Sequence, residues 1–298
     1  MEPQGRKPYP TDLIDAQWKI LETLVPAPQP GPQPAKYPRR EIINAILYVN
    51  RTGCQWRMLP HDLPPWESVY HYFSIWKKDG TWQNIRDTLR RQTRVRAGRD
   101  PEATAAIIDS QSVKTTEMGG PRGYDAGKKV KGRKRHLLVD VLGLVLAVLV
   151  LAANVQDRDG GWMLLSAMHE AYPSISKVWA DGAYAGTLVQ RSRDELNVDV
   201  EIVKKPPESH TFQVLPRRWV VESTLGWLNR ERRLSKDYER LPHTSEAWVN
   251  VAMIRLMTRR LSRPSDEPAA LPPVEPIGRP LLELPAAQFN SNNSADCA

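Results

Sequence analysis

With 298 residues and 41% hydrophobic content, the chain is long enough for one large domain and a small one, each with its own core. A net charge of +8 favours a polyanionic partner, and two cysteines, Cys54 and Cys297, exclude a disulfide framework or a thiolate metal cluster. The most apolar segment, Val141–Ala153, falls short of the roughly 20 residues needed to cross a bilayer, and the N-terminus has no apolar targeting core, so the expected setting is cytoplasmic with no membrane partner.

Residues 1–100 read as helical. "TDLIDAQWKILETLVP" has Thr11 or Asp12 as a cap and apolar residues at helical spacing, and the proline-rich "APQPGPQPAKYP" that follows is a linker. A helix is predicted from Arg39 to Asn50, a turn over Arg51–Gly53, and a short helical piece to Leu59. Another helix starts near Pro65, a good first-turn proline, and a further one spans Trp82–Gln92. Short helices joined by tight turns resemble a helix-turn-helix DNA-binding module, or else a small helical bundle. The six arginines between Arg86 and Arg99 would follow phosphates.

Residues 101–262 alternate strand and helix. "AAIID" is a first strand, and "RHLLVDVLG" with "LVLAVLVLAANV" is a hairpin around a glycine turn. "DGGWMLLSAMHEAY" is helical, "ISKVWADGAY" a fourth strand, "AGTLVQRSRDEL" a helix, "VDVEIVKK" a fifth strand, and "PRRWVVESTLGWLNRERRLSKDYE" a helix. That order implies a mixed α/β sheet with flanking helices. Residues 263–298 are proline-rich without periodicity and are expected to be a disordered tail.

Asp109 closes the first strand and Asp181 the fourth. Sites collect at the carboxyl ends of strands in open α/β sheets, so parallel neighbouring strands would bring these two acids together, although either alone could be a turn aspartate. On the last helix, at about 100° per residue, Val220, Val221, Thr224, Leu225, Trp227 and Leu228 fall on one arc. Glu222 falls on the other with Arg218, Arg230, Trp219 and Gly226. The arginines could hold a phosphate beside it, and Trp219 could stack on a base or pack on a neighbouring helix. Of the other acids, Asp140 lies at a turn, Asp157 and Asp159 precede a helix with Asp159 suited to cap it, and His136 reads as structural.

The segments "RTGCQWRMLPHDLPPWESVYHYFSIWKKDGTW", "IIDSQSVKTTEMGGPRGYDAGKKVKGRKRHLLVD", "NVQDRDG", "WADGAYAG" and "PRRWVVESTLGWLNRERRLSKDYERLPHTSEAWV" resemble transposases of bacterial insertion sequences. The resemblance is to the insertion-sequence-five family within the insertion-sequence-four group. It implies a ribonuclease-H-like catalytic domain whose DDE triad, by motif position, is Asp109, Asp181 and Glu222. Two Mg²⁺ (or Mn²⁺) ions on such a triad would cut DNA and join the freed 3′-hydroxyl to a target, and hard cations of this kind take oxygen ligands. The family's tyrosine–arginine–glutamate–lysine signature keeps Arg218 and Glu222, has Leu215 at the tyrosine position and Asn229 at the lysine position, and leaves Arg230 to take the phosphate contact. Lys128, Lys129, Lys131, Arg133, Lys134 and Arg135 would hold the cut strand.

The implied partners are double-stranded DNA, as terminal inverted repeats and target, and a second copy or more of the chain on that DNA. Two other readings stand beside the transposase: a catalytically idle DNA-binding relative, and a structure-selective nuclease that cuts without joining.

Overall fold

The computed structural model describes residues 6–27, 36–203 and 217–264. The middle of the proline-rich linker, the end of the fifth predicted strand, Leu215 and most of the C-terminal tail lie outside the described residues.

The chain opens with α1 (Asp15–Glu22), α2 (Arg39–Thr52), α3 (Trp66–Lys78) and α4 (Thr81–Arg96). Gly53, at φ +74°, ends α2 in the left-handed conformation that glycine adopts without a Cβ penalty. Next come β1 (Ala105–Lys114), β2 (Gly123–Asp125), β3 (Val130–Asp140), β4 (Val145–Ala152), α5 (Asp157–His169), β5 (Lys177–Ala180), α6 (Thr187–Leu196) and β6 (Asp199–Ile202). The described part ends with α7 (Arg218–Asn229) and α8 (Pro242–Leu261).

The strands form one mixed sheet. β1 is central: it pairs antiparallel with β3 on one side and parallel with β5 on the other. β4 lies antiparallel on β3, β6 parallel on β5, and short β2 lengthens the sheet beyond the start of β3. Three antiparallel strands followed by two parallel ones reached through helices is the ribonuclease-H-like order. Residues opposite each other in the β1–β3 ladder share a face, and successive residues alternate faces. Ile108 and Leu138 therefore meet α5 and α6 in one apolar cluster, while Ile107, Leu137 and Val139 meet α7 and α8 in the other. That second cluster continues without a break into α1–α4, whose Phe73 packs against Trp82, Trp56 and Trp248.

Several boundaries depart from expectation. β1 continues five residues past Asp109, because its outer half still pairs with β3 after β5 has ended. The helix expected over residues 216–239 stops at Asn229. Beyond it, the carbonyls of Leu234, Lys236, Glu239 and Arg240 accept hydrogen bonds from Arg133 and Arg135 of β3, so the chain there is satisfied without a helical ladder. α8 fell in a stretch with no predicted element, since its apolar residues run almost all the way round and give no amphipathic stripe; it is wedged between α4 and the sheet.

The arginines of α4 are also corrected. Arg94 meets Asp140 at 2.7 Å, Arg86 donates to Asn250 and Tyr172, Arg90 donates to the Pro101 carbonyl, and Arg91 pairs with Glu102 at 2.6 Å. Arg86, Arg90 and Arg94 are buried, so these charges seal α4 to the sheet domain and face no DNA; Arg99 remains exposed.

Candidate active site

β5 leaves β1 at Ile107, paired with Trp179. Continued by two residues, the parallel register sets Asp109 beside Asp181, so the chain divides where two carboxylates stand on adjacent strands. Asp109 lies on the sheet face that carries Leu137, the face covered by α7. Asp109 Oδ1 accepts the Ser110 backbone N–H within β1 at 2.7 Å, and Asp181 Oδ1 accepts the Ala183 N–H in the turn after β5 at 2.9 Å, which ties each carboxylate to its own local backbone.

α7 brings the third acid. Val220, Val221, Thr224 and Leu228 are buried and Glu222 is exposed, as the helical spacing predicts. Arg218, one turn earlier, places its guanidinium 3.7 Å from Asp181 and 3.6 Å from Glu222, which ties the helix to the strand end. Trp219 is 50% exposed, and Arg230, the residue that caps α7, is exposed about two turns beyond Glu222. Gly226 faces open space, and Asn229 accepts from Gln111 of β1 at 3.1 Å.

Burial above all, together with the charge of Asp181, pushes the Asp109 carboxyl up to about 6, against the opposing pull of the Ser110 N–H, Arg218 and Lys128. Asp109 thus has no ion-pair partner of its own among the described residues, and Arg218 nearby already serves both Asp181 and Glu222. Among the described residues no three acid, histidine or cysteine groups stand close enough to enclose a metal ion as they are. The donor type nevertheless suits a hard divalent cation, which binds oxygen and would offset the repulsion at Asp109.

Behind Asp109, on the face of α5, lies a polar network that sequence reading missed. Asp157 accepts from Ser110 Oγ at 2.7 Å and from Lys134 Nζ at 3.0 Å; Asp125 accepts from Ser112 Oγ at 2.6 Å and faces Lys134 at 3.6 Å. Burial opposes ionisation of both acids, yet Ser110 and Lys134 hold Asp157, and Ser112 with the Lys128 N–H holds Asp125, below the usual range. The buried Tyr184 phenol is raised well above its ordinary value by burial and then by Asp109 and Asp157. His136 is buried and pushed down to about 4 by desolvation, which agrees with a structural, neutral imidazole. The available signal for this network was the period-two pairing of Ser110 and Ser112 with the basic residues of the next strand.

The basic run divides. Lys128, Lys129 and Lys131 are exposed on the β2–β3 hairpin. Arg133, Lys134 and Arg135 are buried, which corrects their expected place on DNA: both faces of β3 are covered here, so Arg133 and Arg135 on one face and Lys134 on the other give their donors to carbonyls and to the carboxylates of Asp237, Asp125 and Asp157. Asp140 is buried in its turn, accepting the N–H groups of Leu142 and Leu144, and Asp159 is the third residue of α5 rather than its cap, which Gln156 provides.

Comparison with known proteins bears on this arrangement. The family described as "Transposase DDE domain" matches residues 100–257, and that described as "Putative transposase of IS4/5 family" matches residues 13–86. The "Putative transposase for insertion sequence element IS402" of Burkholderia cepacia is 28% identical over 168 residues, 53% of this chain and 76% of its own length. The "Insertion element IS402 uncharacterized 16.2 kDa protein" of the same organism is 28% identical over 113 residues, 36% of this chain and 76% of its own length. Among solved structures, the Mos1 mariner paired end complex with Mn aligns over 82% of this chain and 83% of its own at 11% identity, with a TM-score of 0.28. No helix among the described residues is long and apolar enough to cross a membrane.

Proposed function

The chain belongs to the DDE transposases, in the grouping of insertion sequences four and five, and on that premise we propose that Asp109, Asp181 and Glu222 are its catalytic triad. The observation that carries this reading is the parallel register that sets Asp109 beside Asp181, with Glu222 joined to Asp181 through Arg218. The substrate is the phosphodiester backbone of the inverted repeats at an element's ends, followed by target DNA. Pairing two ends calls for two or more copies of the chain.

The three carboxylates would hold two divalent cations, Mg²⁺ or Mn²⁺, which when bound activate a water or a 3′-hydroxyl for in-line attack and stabilise the leaving oxygen. Asp109, held by the Ser110 N–H, keeps one ligand fixed on the rigid centre of the sheet. Asp181 and Glu222 approach from the next strand and from α7, and Arg218 keeps these like charges together while no cation is present. Trp219 and Arg230, exposed on the same helix, are placed to stack on a base and to meet a phosphate beside the cut. Lys129 and Lys131 would contact the backbone further along. In the N-terminal region, α3 keeps an open face with Tyr70, His71, Ile75 and Lys78, which suits contact with the repeat better than the enclosed α4.

The test is a cleavage and joining assay on duplex DNA taken from either side of the reading frame, with Mg²⁺ or Mn²⁺. Wild-type chain should give cut and joined products. Asp109→Ala, Asp181→Ala and Glu222→Ala should each lose cutting and still shift the DNA on a gel. Cutting retained by any one of them removes that residue from the triad, and cuts without joined products would instead indicate a nuclease.

A further inference from the structure

The β2–β3 hairpin does more than present positive charge. Its turn is anchored: Asp125 Oδ1 accepts the Lys128 backbone N–H at 3.0 Å, and Asp125 is itself buried against Ser112 and Lys134. The next residue, Lys129, adopts φ +55°, a left-handed conformation that a non-glycine residue holds only when its surroundings impose it. The anchored turn sends the Lys128 side chain back across β1, where Nζ donates to the Ser110 carbonyl at 3.0 Å and to Ser110 Oγ at 3.3 Å. Ser110 adjoins Asp109, and the lysine's charge is near enough to favour the ionised form of that acid.

Both acceptors of this ammonium are neutral. The other cation at the site, Arg218, is shared between Asp181 and Glu222. Lys128 is therefore a charge delivered beside the triad whose hydrogen bonds go to neutral atoms, while Asp157 and Asp125 hold it only at a distance. An anionic oxygen would displace those partners, since charge-assisted hydrogen bonds are roughly twice as strong as neutral ones.

We propose that Lys128 is a further catalytic residue, whose ammonium passes from Ser110 to a non-bridging oxygen of the scissile phosphate. It is thereby distinguished from Lys129 and Lys131, which meet phosphates away from the reacting bond. The proposal rests on the triad reading above. No bond to the lysine forms or breaks; the ammonium keeps its protons and stabilises charge as it builds on the phosphate.

The experiment uses the full chain, the same flanking duplex and Mn²⁺, and separates the cleavage rate at saturating DNA from the dissociation constant measured without metal. Lys128→Ala should lower the saturated rate by about 100-fold, the scale found on removing one transition-state donor, while affinity changes by less than about threefold, within the scale of one lost phosphate contact. Lys128→Arg, which restores a cationic donor, should recover most of the rate. An unchanged saturated rate in Lys128→Ala, with Asp109→Ala inactive, overturns the role of Lys128 and leaves the triad standing. A rate loss that saturating DNA removes also overturns it, by making Lys128 a binding contact only. Wild-type chain without metal-dependent cutting would overturn the triad, and this inference with it.

Discussion

Lys128, Lys129 and Lys131 differ little from Arg133, Lys134 and Arg135 as sequence, yet the first three lie on the surface and the second three are buried. The difference arises at Gly132, where the hairpin becomes the central ladder and β3 acquires β1 on one side and β4 on the other. Beyond that point both faces of the strand are covered, and each side chain must find its partners inside. Arg133 and Arg135 collect carbonyls from the segment between α7 and α8; Lys134, on the opposite face, joins Asp125 to Asp157. A basic run thus divides into a surface that can meet a polyanion and an internal set of donors that folds the chain around the site. The arginines of α4 belong to the second kind.

The comparison breaks most visibly at Arg133. Its guanidinium serves the carbonyls of Pro121, Glu239 and Arg240 and lies 3.2 Å from buried Asp237. Arg133→Met should cost about 3–5 kcal/mol, because it leaves a buried carboxylate without its cation. At that size the midpoint of thermal unfolding should fall by about 10 °C. A shift of only a degree or two would mean that the inward residues of β3 are dispensable, and the contrast with the hairpin would fail.

Glu246 reverses the pattern. This acid of α8 is mostly buried over β4, its side chain 14% exposed, where it accepts the Val150 N–H at 2.9 Å, and among the described residues its ion-pair partner is only His243, at 3.9 Å. Burial pushes its carboxyl up from 4.5 to about 7. The folded chain then binds this proton more tightly than the unfolded chain, so the stability gained from it is full below 4.5 and is lost as pH rises through 7. Glu246→Gln keeps an acceptor for Val150 and removes the titration. It should match wild type at pH 4 and exceed it at pH 8 by up to about 3 kcal/mol in urea unfolding. Equal stability at both pH values would show that the carboxylate is solvated or paired after all.

A smaller effect is expected where α5 passes over the face that carries Lys134 and His136. A Cβ on Gly160 would lie 2.3 Å from His136 Nε2, and one on Gly161 would lie 2.8 Å from the Tyr184 ring. The glycine pair lets the helix approach closely enough for Asp157 to reach Ser110 and Lys134. Gly160→Ala should cost about 1–3 kcal/mol through overpacking, and should lower the cleavage rate as well if the polar network steadies Asp109. A stable variant would place the helix farther from the strand than described.

These contrasts also show what the sequence could reveal. Asp181 just past β5 and the helical face of Glu222 were readable because period-two and 3.6-residue patterns assign directions to side chains before any tertiary contact is known, whereas Asp109, expected to close β1, lies within it because no local pattern marks how far the ladder with β3 extends. The hairpin of β3 and β4 was readable for the same reason. The burial of Arg133 was not, since a charged residue in a basic run signals surface until a second segment, here residues 234–240, is known to need donors. α8 was hidden because burial on nearly all sides erases the stripe that marks a helix. The Asp125–Lys134–Asp157 network joins two strands and a helix start, and beyond the period-two pairing of Ser110 and Ser112 with the next long strand no local pattern couples them.

The smallest effect belongs to the outward half of the run, and it isolates what that half does. Lys131 is exposed, pairs in the ladder only with Tyr124 of β2, and lies one residue before the burial begins. Lys131→Ala should leave stability within about 0.5 kcal/mol of wild type, as surface changes do. If the hairpin tracks the DNA backbone, each lost phosphate contact should reduce the slope of log affinity against log salt by about 0.9. A slope lowered by one contact, with unfolding unchanged, would assign the hairpin lysine to DNA and Arg133 to the fold, two residues apart on one strand. An unchanged slope would instead place the DNA path elsewhere, on the side of α7 where Arg230 and Trp219 stand exposed.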